Sequence, residues 1–192
     1  MLELNGKRVN ENHKLEIKNV RNTHIKELIY FDLFLDDGRL IGKCNYFKGR
    51  DYYTPWLEID YYPYLRNEKA EANLFKVIYN FLPPGGKLFV TYIRDEETRN
   101  MLYVGNHPVE TPLGFSLLSA GFTWFKDWYF PEGGNEGFQK LQSNKPLNRN
   151  EAIRQLEEIK KEVKNQNIIR KVEEIIEYYR KSGDRPLYWQ IT

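Results

Sequence analysis

Between residues 56 and 93 the apolar side chains change their spacing twice. Residues 56–62 (WLEIDYY) alternate as a strand does. From residue 67 onward Leu74, Val77, Ile78, Phe81 and Leu82 recur at three- and four-residue steps, which is one face of a helix. Pro83-Pro84-Gly85-Gly86 stops that helix, Asn67 is placed to cap it, and residues 87–93 (KLFVTYI) read again as a strand. A strand, a helix and a strand joined by short turns close as a right-handed parallel crossover, so the two strands are expected side by side and parallel. Three elements cannot bury one another completely, and the rest of the chain must supply the flanks.

Residues 13–19 alternate Leu15 and Ile17 with charged neighbours, while residues 27–35 (ELIYFDLFL) carry apolar side chains on both faces, as a central strand does. Asp36-Asp37-Gly38 reads as a hairpin turn leading into a return strand over residues 39–47. Beyond the crossover, Asp95-Glu96-Glu97-Thr98 reads as the acid-rich first turn of a short helix rather than a cation site. Thr111-Pro112 starts another helix, which Gly121 ends. Residues 122–130 (FTWFKDWYF) form an aromatic strand with residues 137–142 as its hairpin partner. After Pro146 the chain turns rich in Glu, Lys and Arg, with Ile153, Leu156, Ile159, Val163, Ile169, Val172, Ile176 and Tyr179 in a helical stripe that loosens around Asn165-Gln166-Asn167. That is one long helix or a helical pair. The expected fold class is α/β: a mixed, mostly antiparallel sheet flanked by helices over residues 1–147, with a C-terminal helical segment and tail over residues 148–192.

Composition removes several functions. Twenty-nine basic against 27 acidic residues leave a net charge of +2, too little for a nucleic-acid footprint, and no apolar run reaches membrane-spanning length. No signal-peptide pattern opens the chain, so a cytoplasmic protein is expected. One cysteine and three scattered histidines provide neither an internal disulfide nor zinc spacing, and no metal is expected.

The order of three antiparallel strands, helix, strand, short helix ending in Gly121-Phe122 and then a hairpin resembles the GNAT-type N-acetyltransferase fold over about residues 27–142. The stretches PPGGKLFVTYIRDEET and TPLGFSLLSAGFTWFKDWYFPEGGNEGFQKLQ also resemble the signature of an uncharacterised protein family. The acetyltransferase resemblance implies acetyl-CoA or another acyl-CoA as cofactor, held by backbone bonds from residues 56–62. The pyrophosphate would lie at residues 64–70, with Arg66, Asn67 and Lys69 as the cofactor-binding side chains. Two positions depart from the acetyltransferase pattern. Its Arg/Gln-x-x-Gly-x-Gly/Ala loop corresponds here to Arg66-Asn67-Glu68-Lys69-Ala70-Glu71, which has no glycine, and its thiolate-protonating tyrosine corresponds to Leu117.

Glu58 and Asp60 fall on one face of their strand, roughly 7 Å apart. Either can act as a base toward an amine, or both can be solvated carboxylates. Aromatic residues crowd residues 46–64 and 122–130, enough to line a pocket or simply to fill a sheet face. Trp124, Asp127, Trp128 and Glu132 are the expected substrate contacts, with Asp127 as the inward polar anchor. Three readings follow: acyl-CoA-dependent N-acyl transfer to a small-molecule or peptide amine; a non-enzymatic ligand- or protein-binding domain on the same frame; and, more remotely, an S-adenosylmethionine-dependent methyltransferase-like protein. The striped C-terminal helices and the apolar tail at residues 187–191 also suit a homodimer contact.

Overall fold

A computed structural model describes residues 2–130 and 138–181. The strands are β1 (Leu15–Asn22), β2 (Leu28–Leu35), β3 (Leu40–Phe47), β4 (Trp56–Tyr61), β5 (Lys87–Thr91), β6 (Trp124–Phe130) and β7 (Phe138–Asn144). Among the described residues they form one sheet in the order β1-β2-β3-β4-β5-β7-β6, in which only β4 and β5 pair in parallel, Trp56 opposite Lys87 and Asp60 opposite Thr91. The expected mixed, mostly antiparallel sheet and its parallel crossover are therefore present. A methyltransferase-like fold needs a mostly parallel sheet, and this one is not.

Among the described residues six α-helices accompany the sheet: α1 (Tyr64–Asn67), α2 (Glu71–Phe81), α3 (Glu96–Tyr103), α4 (Pro112–Ala120), α5 (Arg149–Glu162) and α6 (Gln166–Lys181). They gather on one face. Leu57, Ile59, Leu88, Val90 and Leu141 point from the strands into a cluster completed by Leu74, Phe75 and Ile78 of α2 and by Leu113 and Leu117 of α4. A second cluster joins Val109 and Leu118 to the facing stripes of α5 and α6, with Phe125 of β6 packed against both clusters. The opposite face carries Phe47, Trp56, Glu58, Phe89 and Lys140, none of which enters either cluster.

Local chemistry explains most boundaries. Thr111 accepts from Gly114 N at 3.0 Å to cap α4, and Gly121, at φ 114°, ends the helix against the Tyr79 ring, where a side chain would be strained. Asp95 caps α3 through Thr98 N at 3.0 Å. The C-terminal helices are a pair, broken where Val163 turns extended and where Asn165 accepts from Asn167 N.

Three expectations are corrected. Asn67 closes the short α1 and does not cap α2, because burial of Leu65 and Ala70 forces a turn between the helices with Lys69 at φ 54°. β1 runs on to Asn22 through a bulge at Asn19, a device that keeps edge strands from pairing further. β7 reaches Asn144, since Lys87 needs a partner there. Among the described residues no helix is long and apolar enough to cross a membrane.

Candidate functional site

A parallel pair delivers both carboxyl ends to the same edge of a sheet, where ligands of such sheets collect. β4 leaves that edge through Tyr62-Pro63 into α1, and β5 leaves through Tyr92 at φ 49°, a left-handed conformation that a bulky residue rarely adopts.

The notch between the two strand ends is filled by the protein's own charges. Glu71, in the first turn of α2 and 3% exposed, accepts from the Tyr61 hydroxyl at 2.8 Å and from Arg66 Nη2 and Nε at 3.1 and 3.2 Å. Arg66 Nη1 continues to Asp95 at 2.7 Å, and Asp95 accepts the Thr98 hydroxyl as well as its N–H. Burial, followed by the Glu71 charge, pushes the Tyr61 phenol well up. Burial also opposes the Arg66 charge, but Glu71 and Asp95 outweigh it and raise the guanidinium pKa. For Asp95, burial is outweighed by Thr98 and Arg66, which hold its carboxyl below the usual value. A space of about 10 Å³ is left beside Tyr61, Arg66, Arg94 and Asp95, room for one water at most.

Glu58 and Asp60 do share the open face. Each already holds a cation: Lys140 Nζ lies 2.8 Å from Glu58, and Arg94 Nη2 lies 2.9 and 3.0 Å from the two Asp60 oxygens. Both cations rest on rings, Lys140 on Phe89 at 4.6 Å and Arg94 on Tyr62 at 4.1 Å. Phe47 stacks on Trp56 at 5.8 Å, and Trp56 meets Phe89 edge-on at 6.4 Å, so an aromatic row runs across β3, β4 and β5.

Trp124 and Trp128 lie on this same face, opposite Asn144 and Lys140 of β7. Trp128 Nε1 donates to Gln142 at 3.2 Å, and Lys126 sits 3.9 Å above the Trp128 ring. Asp127 pairs with the buried Leu141 and so faces the helices, apart from Glu58, although its side chain is exposed. Of the three residues expected to hold a cofactor, Arg66 is committed to two carboxylates, while Asn67 and Lys69 are exposed at the turn before α2. Glu132 lies outside the described residues.

Sequence reasoning missed Glu71, Tyr61, Arg94 and Lys140 as members of these networks. Lys140 had a signal, the alternation of Lys140, Leu141 and Gln142 that puts it on the open face. A first-turn glutamate such as Glu71 ordinarily reads as a solvated helix-dipole charge. Cys44 is buried, and burial pushes its thiol well up, followed in effect by Asp32 and Asp60. That is an inert thiol.

No curated protein matches the chain significantly. A solved structure described as a protein of unknown function, AQ1966 from Aquifex aeolicus VF5, is 32% identical, covers 88% of this chain and 91% of its own, and superposes with a TM-score of 0.65. The family model described as "Protein of unknown function (DUF1122)" matches residues 11–172, and the chain belongs to that family.

Proposed function

We propose that the protein is a ligand-binding domain on an acetyltransferase-like frame, in which the phosphate cradle of an acyl-CoA is replaced by side chains of the protein itself. The observation that carries this reading is the Tyr61–Glu71–Arg66–Asp95 chain. A pyrophosphate at the start of α2 would have to displace the buried Glu71 carboxylate or lie against it, and Arg66 is already held by two carboxylates. The candidate ligand is a small-molecule or peptide amine meeting the open face, where it exchanges with Lys140 or Arg94 for the carboxylates of Glu58 and Asp60 beside the Phe47–Trp56–Phe89 row and Trp128. A cytoplasmic site of action and a homodimer belong to the same proposal; the single, buried cysteine is in keeping with the first.

The second reading, N-acyl transfer from an acyl-CoA, is favoured by the parallel β4–β5 pair and by two carboxylates on the strand that would flank the thioester. In it, Glu58 or Asp60 takes the proton of the attacking amine.

Calorimetric titration of the full chain with acetyl-CoA separates the two, with S-adenosylmethionine in a parallel run. No heat from acetyl-CoA up to millimolar concentration, together with amine binding that Glu58→Gln or Asp60→Asn weakens, is the expected result. Micromolar acetyl-CoA binding would overturn the ligand-binding reading and call for a screen of amine acceptors.

A further inference from the structure

The end of α2 away from Glu71 leaves part of the sheet uncovered. α2 stops at Phe81, and there the N-terminal segment, through Leu2, Glu3 and Asn5, lines a gap together with residues of β1, β2 and β3. That segment is fixed: Asn5 Oδ1 accepts from Ile17 N at 3.0 Å, and Gly6 N donates to Leu15 O at 2.8 Å. The result is a groove of about 640 Å³ whose floor and sides are Leu2, Ile17, Val20, Ile29 and Phe81. This is the size of small-molecule sites, and its lining follows their pattern of an apolar body with a few polar groups.

Four polar side chains reach the groove: Asn5, whose Oδ1 is engaged by Ile17 N, and Glu3, Lys48 and Tyr46. Tyr46 packs its ring on Phe81 at 4.7 Å, and burial, with the nearby Glu3 charge, raises its phenol, which keeps the hydroxyl protonated as a donor. Glu3 and Lys48 make no ion pair with each other or with any other described residue within 4.0 Å. One carboxylate and one ammonium thus line the same apolar groove, separate and unmatched.

We propose that this groove binds a small zwitterion with an apolar body, of the size of an apolar dipeptide. Complementarity of charge decides the class. A fatty acid would satisfy Lys48 and Tyr46 but bring its carboxylate to Glu3, and an alkylamine would satisfy Glu3 but face Lys48. A molecule carrying both termini answers both groups while its side chains cover Ile17, Val20 and Ile29, and burial of that apolar surface favours binding. The site is independent of the notch at β4 and β5, and of the function proposed above.

The test is a titration of the full chain with the dipeptide Leu-Phe, followed by amide chemical shifts. Comparators are its N-acetyl form, its C-terminal amide, and octanoate. The free dipeptide is expected to move the signals of Ile17, Val20, Ile29 and Lys48, with each blocked form binding about tenfold more weakly. Glu3→Gln should erase the penalty of N-acetylation alone, and Lys48→Met that of amidation alone. Both are exposed positions that should leave folding intact. Equal binding of free and blocked forms, tighter binding of octanoate, or shifts confined to other residues would each overturn the proposal.

Discussion

Two ion pairs of similar length sit on opposite faces of this sheet, Arg66–Glu71 at 3.1 Å and Lys140–Glu58 at 2.8 Å. Under the helices, Glu71 is 3% exposed and bonded to both Tyr61 and Arg66, and Arg66 passes the contact on to Asp95. On the open face Glu58 is 29% exposed and meets one ammonium. The cations, an arginine and a lysine, are similarly accessible at 24% and 20%; what separates the pairs is the burial of the glutamate and its number of partners. A buried charge left without its partner keeps a desolvation cost that water cannot relieve, whereas an exposed one is rehydrated. The covered face therefore has polar groups fixed by several partners, and the open face has carboxylates paired one to one within reach of water.

The largest expected effect tests the covered side. Glu71→Ala should cost about 2 to 4 kcal/mol, because it removes the buried acceptor of the Tyr61 hydroxyl and leaves Arg66 with Asp95 as its one carboxylate. Denaturant unfolding measures it. Replacing Arg66 and Glu71 together by methionine should cost less than Glu71→Ala alone, since no half of the pair is left buried. If the double change is the worse one, the pair holds the fold by attraction and not by mutual neutralisation.

Lys145 belongs to the same side. It is 9% exposed, donates to Tyr79 O at 2.9 Å and Leu82 O at 2.8 Å at the end of α2, and lies 4.4 Å from the Tyr79 ring centroid. Lys145→Met should cost about 1 to 3 kcal/mol through unsatisfied carbonyls. Burial lowers its pKa from the ordinary 10.5 to about 8. Between those values the unfolded chain holds a proton that the folded chain has released. Wild-type stability relative to Lys145→Met should therefore rise from about pH 8 to 10.5 and be lost again as the pH falls through 8. Parallel urea titrations across that range check the sign.

These cases also show what could be read from the sequence. α4 was legible because Thr111, Pro112 and Gly121 each act on the backbone within a few residues, and the β4–α2–β5 crossover because hydrophobic period is a local property. The start of α2 was not, since burial of Leu65 and Ala70 by distant strands overrides the capping tendency of Asn67. Glu58 and Asp60 could be placed on one face by alternation. Their cations could not, because Lys140 reaches Glu58 across 82 positions and Arg94 reaches Asp60 across 34. Asp127 was expected to point inward or toward a site, and β6 places it opposite the buried Leu141 on the helical side with its side chain exposed.

A smaller effect comes from His107, which caps the 3-10 turn Pro108–Glu110 by accepting from Val109 N at Nδ1, 3.2 Å away. Burial lowers its pKa from 6.5, with Glu162, Glu110 and Asp127 working against the shift. The neutral ring is thus the folded form, and its stabilisation is present above the ordinary value and lost as the pH falls below it. Thermal unfolding from pH 7.5 to 5 should show the melting temperature of wild type falling more than that of His107→Asn, whose amide oxygen caps without titrating. A parallel decline of both proteins would assign the acid sensitivity elsewhere.

The smallest effect is the most telling for the comparison. Glu58→Gln should cost at most about 1 kcal/mol, and the coupling of Glu58 to Lys140 in a double-mutant cycle should shrink with added salt, as for solvent-exposed pairs. Glu58 and Lys140, at 29% and 20% side-chain exposure, are open enough for that. A cost above about 2 kcal/mol, insensitive to salt, would mean that the pair is dry in solution. Something would then cover the open face, and a ligand reaching Glu58 would compete with that cover, not with water.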